Sequence, residues 1–376
     1  MLLIDIALIV GGLVLLVAGG EALVRSASTL AKRVGIPPLV IGLVVVSAAT
    51  SAPEFAVTFD AVLRGEPDLA LGNVVGSNIF NILLILGLTA LVMPLVIKKQ
   101  LVRIDIPVMV GLSILLIVVS LDGTISALDG ALLLAVLLAH TVMSVIIGRR
   151  EVRAEAAGAS TTPLTEQGRP LPLWLAGLLL IGGIGLLVLG AQLLVDGAVS
   201  IATGLGVSSL VIGLTVVAAG TSLPELATSL IAARRGERDM AVGNIVGSNI
   251  FNIGMVLGLP ALIFGGGIPV PAAAIALDLP LMLATAVALI PIAFTGFVIA
   301  RWEGALFIVF YVAYTIYLVL ASTQHGALQG FTEVMLWFVL PLVAVTLIAV
   351  TAFEVGILRE RRALQRNDRL TPRSDT

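Results

Sequence analysis

The sequence predicts an all-α polytopic membrane protein: two inverted five-helix repeats and one extra C-terminal transmembrane helix. Three observations carry that reading. Apolar runs recur from Leu2 to Gly356, each about 20 residues long and able to cross a ~30 Å hydrocarbon core as a helix. A segment of 54 residues returns later in the chain without a gap. The Lys and Arg residues fall almost entirely in alternate loops, the bias expected of segments retained in the cytoplasm.

Composition excludes a soluble fold. Hydrophobic residues make up 59% of the 376 and charged residues only 12%, whereas a soluble domain carries roughly 25% charged residues. Backbone groups in lipid must be paired internally, which leaves helices or a closed barrel. The runs far exceed the ~10-residue alternating segments of barrel strands. With no cysteine, disulfides, thiolate metal sites and thiol nucleophiles are out of reach. The N-terminus has no basic n-region and runs straight into Gly19, Gly20 and Glu21, so the first span is expected to be retained.

In chain order the spans are expected at 2–24, 36–63, 69–96, 104–121 and 124–147, forming a first five-helix repeat over 1–147. A polar, charged stretch at 148–171 reads as a solvated cytoplasmic linker. Spans at 172–195, 207–233, 240–264, 270–295 and 302–321 form the second repeat over 172–321. An additional helix lies within 322–358, at 332–356, followed by a basic tail at 359–376 that suits anionic lipid headgroups. If the N-terminus is outside, 20 of the 21 Lys and Arg residues are cytoplasmic and only Arg64 is not. The expectation is N-out, C-in.

Residues 35–88 recur at 206–259 with an offset of 171, and 33 of the 54 positions are identical. The best-matched parts are Thr50–Glu54 with Thr221–Glu225 and GNVVGSNIFN (72–81) with GNIVGSNIFN (243–252). Fainter echoes pair Asp105 with Asp278, and Asp129-Gly130 with Glu303-Gly304. Five spans separate each residue from its counterpart, and five is odd, so the copies are expected to lie oppositely in the membrane. That construction puts an ion site near the midplane where the repeats meet.

What repeats is polar. Glu54 and Glu225 each sit mid-span, where a charge costs on the order of 3 kcal/mol or more. Pro53 and Pro224 have no N–H, so the carbonyls of Ala49 and Gly220 lose their helical partners. Those carbonyls gather near the hydroxyls of Thr50, Ser51, Thr221 and Ser222. Asn73, Ser77 and Asn81 share one helical face, as do Asn244, Ser248 and Asn252. The nearby glycines and the outer pair Asn73 and Asn244 suit helix packing, whereas Asn81 and Asn252 lie deeper and offer amide oxygens. Two carboxylates, two amide oxygens, hydroxyls and freed carbonyls, without nitrogen or sulfur, suit Ca²⁺, which takes six to eight oxygens. Zinc or copper would want His or Cys. Na⁺ and H⁺ suit the same groups.

These residues resemble the two alpha-repeats of the cation/calcium exchanger superfamily, most closely its prokaryotic sodium/calcium exchanger family. The resemblance covers ten of the eleven expected spans. It implies that spans two, three, seven and eight build the ion site, and that spans one and six slide across it to alternate access. It further implies that Glu54 and Glu225 are the calcium carboxylates. Thr50, Ser51, Ser77, Thr221, Ser222 and Ser248 would serve Na⁺ and Ca²⁺, and Ser47 and Ala218 would offer carbonyls. Potassium-dependent members carry Asp where this chain has Asn252, which argues against potassium co-transport.

The resulting expectation is a secondary antiporter exchanging Ca²⁺ for Na⁺ in a prokaryotic plasma membrane, with H⁺ as the alternative counter-ion. It is not expected to be an enzyme: no nucleophile–base pair or metal triad is visible. GxxxxGK[ST] is absent, so neither nucleotide nor nucleic acid is expected as a partner, and no cofactor. A passive cation channel would share the mid-membrane Glu and Asn, but channels commonly set selectivity on an axis shared by subunits. Asp105 and Asp278 read as helix-start residues near the interface, His140 as a packed histidine, and Glu21 and Asp196 as solvated.

Overall fold

Proline and glycine punctuate a chain that is otherwise helix. Helix α1 spans Leu2–Val34, and Gly35 follows it at φ +66°. It runs past the expected end at 24 because Ala27, Leu30, Ala31 and Lys32 favour helix. Helices α2 (Pro38–Thr50) and α3 (Ala52–Arg64) form one bent span, with a 45° break at Ser51. Gly65 ends α3 in the left-handed region at φ 72°, its N–H donating to Ala61 and Val62 carbonyls, a conformation that favours glycine. Helices α4 (Pro67–Val92), α5 (Leu101–Ser120) and α6 (Ala127–Gly158) complete the first half. The second holds α7 (Leu173–Gly204), α8 (Leu223–Arg234), α9 (Arg238–Ile263), α10 (Ala274–Ile292) and α11 (Arg301–Ser322). A short α12 (Leu328–Val334) follows.

The computed structural model describes residues 2–158, 172–205, 218–294, 297–323, 325–339 and 341. Among these, eight helices are long and apolar enough to cross a membrane, or nine with the bent pair taken as one span. The first part of the expected seventh span, most of the eleventh, residues 159–171 of the linker and the basic tail lie outside the described residues. Two further expectations are corrected. The linker does not begin as a loop: Gly148–Gly158 continues α6, since its Arg, Glu and Ala residues are strong helix formers. The third span stops at Val92 rather than 96, because Pro94 cannot continue a helix.

Beyond those ends lie four two-residue strands that hydropathy does not reveal: β1 (Leu95–Val96), β2 (Thr124–Ile125), β3 (Ile268–Pro269) and β4 (Val298–Ile299). They pair antiparallel across the halves, β1 with β4 and β2 with β3. Each pair joins a strand to the repeat counterpart of its partner's pair, so one pair is the image of the other.

Burial separates two kinds of helix. Windows of α4 and α9 are 78% buried, against 11–39% for the other single-helix spans, so these two form the centre. Helices α1 and α7 pack chiefly on one another, antiparallel, through glycines. A Cβ on Gly12 would stand 2.6 Å from the Gly190 carbonyl oxygen, and one on Gly19 2.8 Å from that of Gly183. The faint Asp129-Gly130 and Glu303-Gly304 echoes have the same cause. Gly130 packs on the Gly258 backbone and Gly304 on that of Gly87. Asp129 accepts from the Ser126 N–H and Glu303 from the Ala300 N–H.

Gly130→Val should therefore force apart α6 and α9, since even its Cβ would meet the Gly258 carbonyl oxygen at 2.5 Å. A loss of about 1–3 kcal/mol is expected, read as a lowered melting temperature in detergent. Gly111→Val, where nothing lies within 4 Å, should leave the melting temperature unchanged.

Candidate functional site

Each carboxylate stands at a break in its helix. Ser51 leaves helical geometry at φ −78°, ψ 5°, and Ser222 at φ −92°, ψ 8°. The chain then restarts as α3 and α8, with Pro53 and Pro224 in their opening turns. Proline is well tolerated there because the first N–H groups have no intrahelical partner. Glu54 and Glu225 occupy the same opening turns, where the positive end of the helix favours a carboxylate. The proline thus does more than loosen a carbonyl: it starts a new helix with a glutamate at its head.

The two heads meet. The Ser222 hydroxyl donates to Glu54 Oε1 at 2.9 Å, and the Ser51 hydroxyl donates to Glu225 Oε1 at 3.4 Å. Each serine thus serves the glutamate of the opposite half. Ser248 donates to the same Glu225 oxygen at 3.5 Å. Thr221 stands beside Glu54, and Thr50 beside Glu225. Both glutamates are wholly buried. The crossing extends to the next span: α3 packs on the Asn252–Leu257 turn, and α8 on the Asn81–Leu86 turn. Both turns are π-helical, and Asn81 and Asn252 open them. Such turns are frequent at functional sites.

Asn73 and Asn244 brace the breaks, the packing role expected of them. Asn73 donates to the Glu54 backbone carbonyl at 3.0 Å and to the Thr58 hydroxyl at 2.9 Å. Asn244 donates to Ser229 at 3.0 Å. The Thr50 and Thr221 hydroxyls donate to Asn244 Oδ1 and Asn73 Oδ1, at 3.3 and 3.5 Å. The Ser47 carbonyl receives the Ser51 N–H at 2.9 Å and the Thr50 hydroxyl at 3.4 Å, so part of its capacity is taken. Ala218 opens the short turn Ala218–Gly220 ahead of Thr221.

Buried oxygens without a donor define the chemistry. Among the described residues, the second oxygen of Glu54, the second oxygen of Glu225, Asn81 Oδ1, Asn252 Oδ1 and Ser77 Oγ have no hydrogen-bond partner. Buried polar atoms are nearly always paired. Here four sp² oxygens and a hydroxyl on converging elements are left open, the donor set a hard cation takes. No group of three His, Cys, Asp or Glu side chains forms among the described residues.

Motif spacing missed two features. Asn78 and Asn249, one residue beyond Ser77 and Ser248, join the halves. Asn81 Nδ2 donates to Asn249 Oδ1 at 3.3 Å, and Asn252 Nδ2 to Asn78 Oδ1 at 3.1 Å. Their recurrence in both GSNIFN motifs was the available signal. Asp105 is corrected: it makes no side-chain cap and is wholly buried. It accepts from Gln100 at 3.4 Å and pairs with His140 Nε2 at 2.8 Å, so His140 is packed, as expected, but has a polar partner. Glu21 is half-exposed, in keeping with the solvated reading, and Arg235 binds both of its oxygens.

The family described as sodium/calcium exchanger protein matches residues 4–146 and 175–320. The inner membrane protein YrbG of Escherichia coli is 44% identical over 269 residues, covering 71% of this chain and 82% of its own. The sodium/calcium exchanger MaX1 of Methanosarcina acetivorans is 31% identical over 351 residues, covering 85% and 99%. A structure of the sodium-calcium exchanger NCX_Mj soaked with Na⁺ and Sr²⁺ superposes with a TM-score of 0.69 at 32% identity, covering 83% and 97%.

Asn73→Leu should leave the Glu54 carbonyl and the buried Thr58 hydroxyl without their donor. An unmet buried group costs about 1–3 kcal/mol. The expected result is a melting temperature several degrees lower in detergent, and an unchanged value would remove the bracing role.

Proposed function

The chain belongs to the sodium/calcium exchanger protein family, and we propose that it is a secondary antiporter exchanging Ca²⁺ for Na⁺ across a prokaryotic plasma membrane. The observation that carries this reading is the set of donor-free oxygens on Glu54, Glu225, Asn81 and Asn252, all wholly buried. With Ser77, Ser248 and the hydroxyls of Thr50, Ser51, Thr221 and Ser222, they form an oxygen-only cage suited to Ca²⁺ or Na⁺. Ser47 and Ala218 would offer backbone carbonyls to the same cage.

Electrostatics supplies the coupling. Two ionised carboxylates about 6 Å apart repel by roughly 3 kcal/mol at an effective dielectric near 20, and a divalent ion ~4 Å from each returns on the order of 16. An emptied site therefore has to refill with another cation before it can reorient, and that obligation makes an exchanger instead of a leak. Asn252, neutral, leaves two formal charges, balanced by one Ca²⁺.

Alternating access follows from inverted topology. The odd number of spans between repeat positions, the antiparallel contact of α1 with its counterpart α7 and the paired strand exchanges support oppositely oriented halves, with the N-terminus outside and the C-terminus inside. The α1–α7 pair, packed mainly on itself through glycine, is the element proposed to slide across the breaks in the site helices. Relatives named as sodium/calcium exchangers support Na⁺ as the counter-ion.

Glu54→Gln and Glu225→Gln should each abolish ⁴⁵Ca²⁺ uptake by proteoliposomes while the protein stays folded. Full uptake in both variants would sink the site. In wild-type proteoliposomes an imposed Na⁺ gradient should drive the uptake. If only a pH gradient did so, the counter-ion would be H⁺.

A further inference from the structure

A ligand amide poses a problem that a carboxylate does not. Its two ends are nearly the same shape, yet one accepts hydrogen bonds and the other donates them. An asparagine turned the wrong way would aim an NH₂ group at a cation. Something beside Asn81 and Asn252 has to set which end faces inward.

Each is followed by the same sequence of contacts. Asn252 Nδ2 donates to Asn78 Oδ1 at 3.1 Å, and Asn78 Nδ2 in turn lies 3.5 Å from the Met282 sulfur and 3.4 Å from the Asn249 backbone carbonyl. In the other half Asn81 Nδ2 donates to Asn249 Oδ1 at 3.3 Å, and Asn249 Nδ2 lies 3.5 Å from the Met109 sulfur. All six side chains are buried, none more than 2% exposed. Met109 and Met282 sit at matching places, four residues after Asp105 and Asp278. Their helices, α5 and α10, pack on α9 and α4 respectively.

A thioether sulfur has no hydrogen to give, and neither has a backbone carbonyl. Each therefore fixes the NH₂ end of the amide it meets. That leaves the carbonyl end of Asn78 or Asn249 for the next asparagine, which must present its own NH₂. The last carbonyl oxygen, Asn252 Oδ1 or Asn81 Oδ1, is then turned away with no donor. Reversing Asn78 or Asn249 would set NH₂ against NH₂ and oxygen against sulfur, and reversing Asn252 or Asn81 would set oxygen against oxygen, in a dry interior where unmet groups are costly.

We propose that Met282–Asn78 and Met109–Asn249 are positioning relays that orient the ligand amides of Asn252 and Asn81 so that oxygen, not nitrogen, faces the transported cation. The inference rests on the ion-site reading given above and adds four residues to it, none of which touches the ion. It explains why the first asparagine of each GSNIFN motif, Asn78 or Asn249, is present beside a serine that already serves the site.

The test is equilibrium ⁴⁵Ca²⁺ binding to the purified full-length protein, with the melting temperature recorded for each variant. Asn78→Leu should weaken Ca²⁺ binding by about tenfold or more, the range of lost supporting contacts at metal sites. A carboxylate has oxygen at both ends and needs no orienting, so in an Asn252→Asp background Asn78→Leu should change binding by less than about twofold. A packing role would weaken binding equally in both backgrounds, and that outcome overturns the relay alone. If Asn78→Leu fails to fold, Met282→Leu, close in volume, should show the same dependence on background in smaller measure; equal effects there would overturn the relay as well. Wild-type protein that bound no Ca²⁺ would overturn the ion site and the relay together.

Discussion

The structure depends on a constraint: two carboxylates lie wholly buried in a chain whose surface suits lipid. Among the described residues no basic side chain neutralises either, and hydroxyls donate to both. Burying a charge without a partner is among the most expensive things a protein can do. The chain meets that cost with broken helices, which bring positive helix ends to the glutamates, and with hydroxyls lent from the opposite half. What these leave unmet is the second oxygen of each carboxylate. The site is built so that its own protein cannot complete it.

Symmetry is how one chain assembles such a site cheaply. A single break-and-glutamate turn would be a polar defect in a membrane helix. Two of them, related by the 171-residue repeat, complete one another: Ser51 serves Glu225, Ser222 serves Glu54, and each glutamate helix lies on the other half's asparagine turn. The same exchange appears in the strand pairs and in the glycine contacts of Gly12 with Gly190 and Gly87 with Gly304. Every such contact is made twice, so its small stabilisation counts twice.

Much of this was legible in the sequence, and the limits have physical causes. Hydropathy found the helices because lipid demands unbroken apolar runs, and the identical motifs located Glu54, Glu225, Asn81 and Asn252. Hydropathy could not separate a kink from a helix that stops and restarts, since both are apolar on either side of Pro53. Strands of two residues carry no period to detect. Helical spacing placed Asn78 off the face shared by Asn73, Ser77 and Asn81, so its link to Asn252 emerged only when the halves were brought together. Asp105 was misread for a related reason: its partner, His140, lies 35 positions away on another helix.

The halves are nonetheless unequal where it bears on energetics. Were the repeats identical, a transporter alternating between two mirror-related states would hold them at equal free energy. The Glu21–Arg235 pair ties α1 to the turn after α8, but the repeat counterparts of those residues are Gln192 and Arg64, and Arg64 binds Asp60 within its own helix at 2.8 Å. Likewise Asp105 has His140, whereas its counterpart Asp278 has a tyrosine, Tyr314, in its field. An exposed ion pair contributes under about 1 kcal/mol, yet about 1.4 kcal/mol is already a tenfold ratio of states. In the proposed antiporter, differences of that size, set by a few side chains outside the candidate ion site, would be enough to decide which side of the membrane the resting site faces.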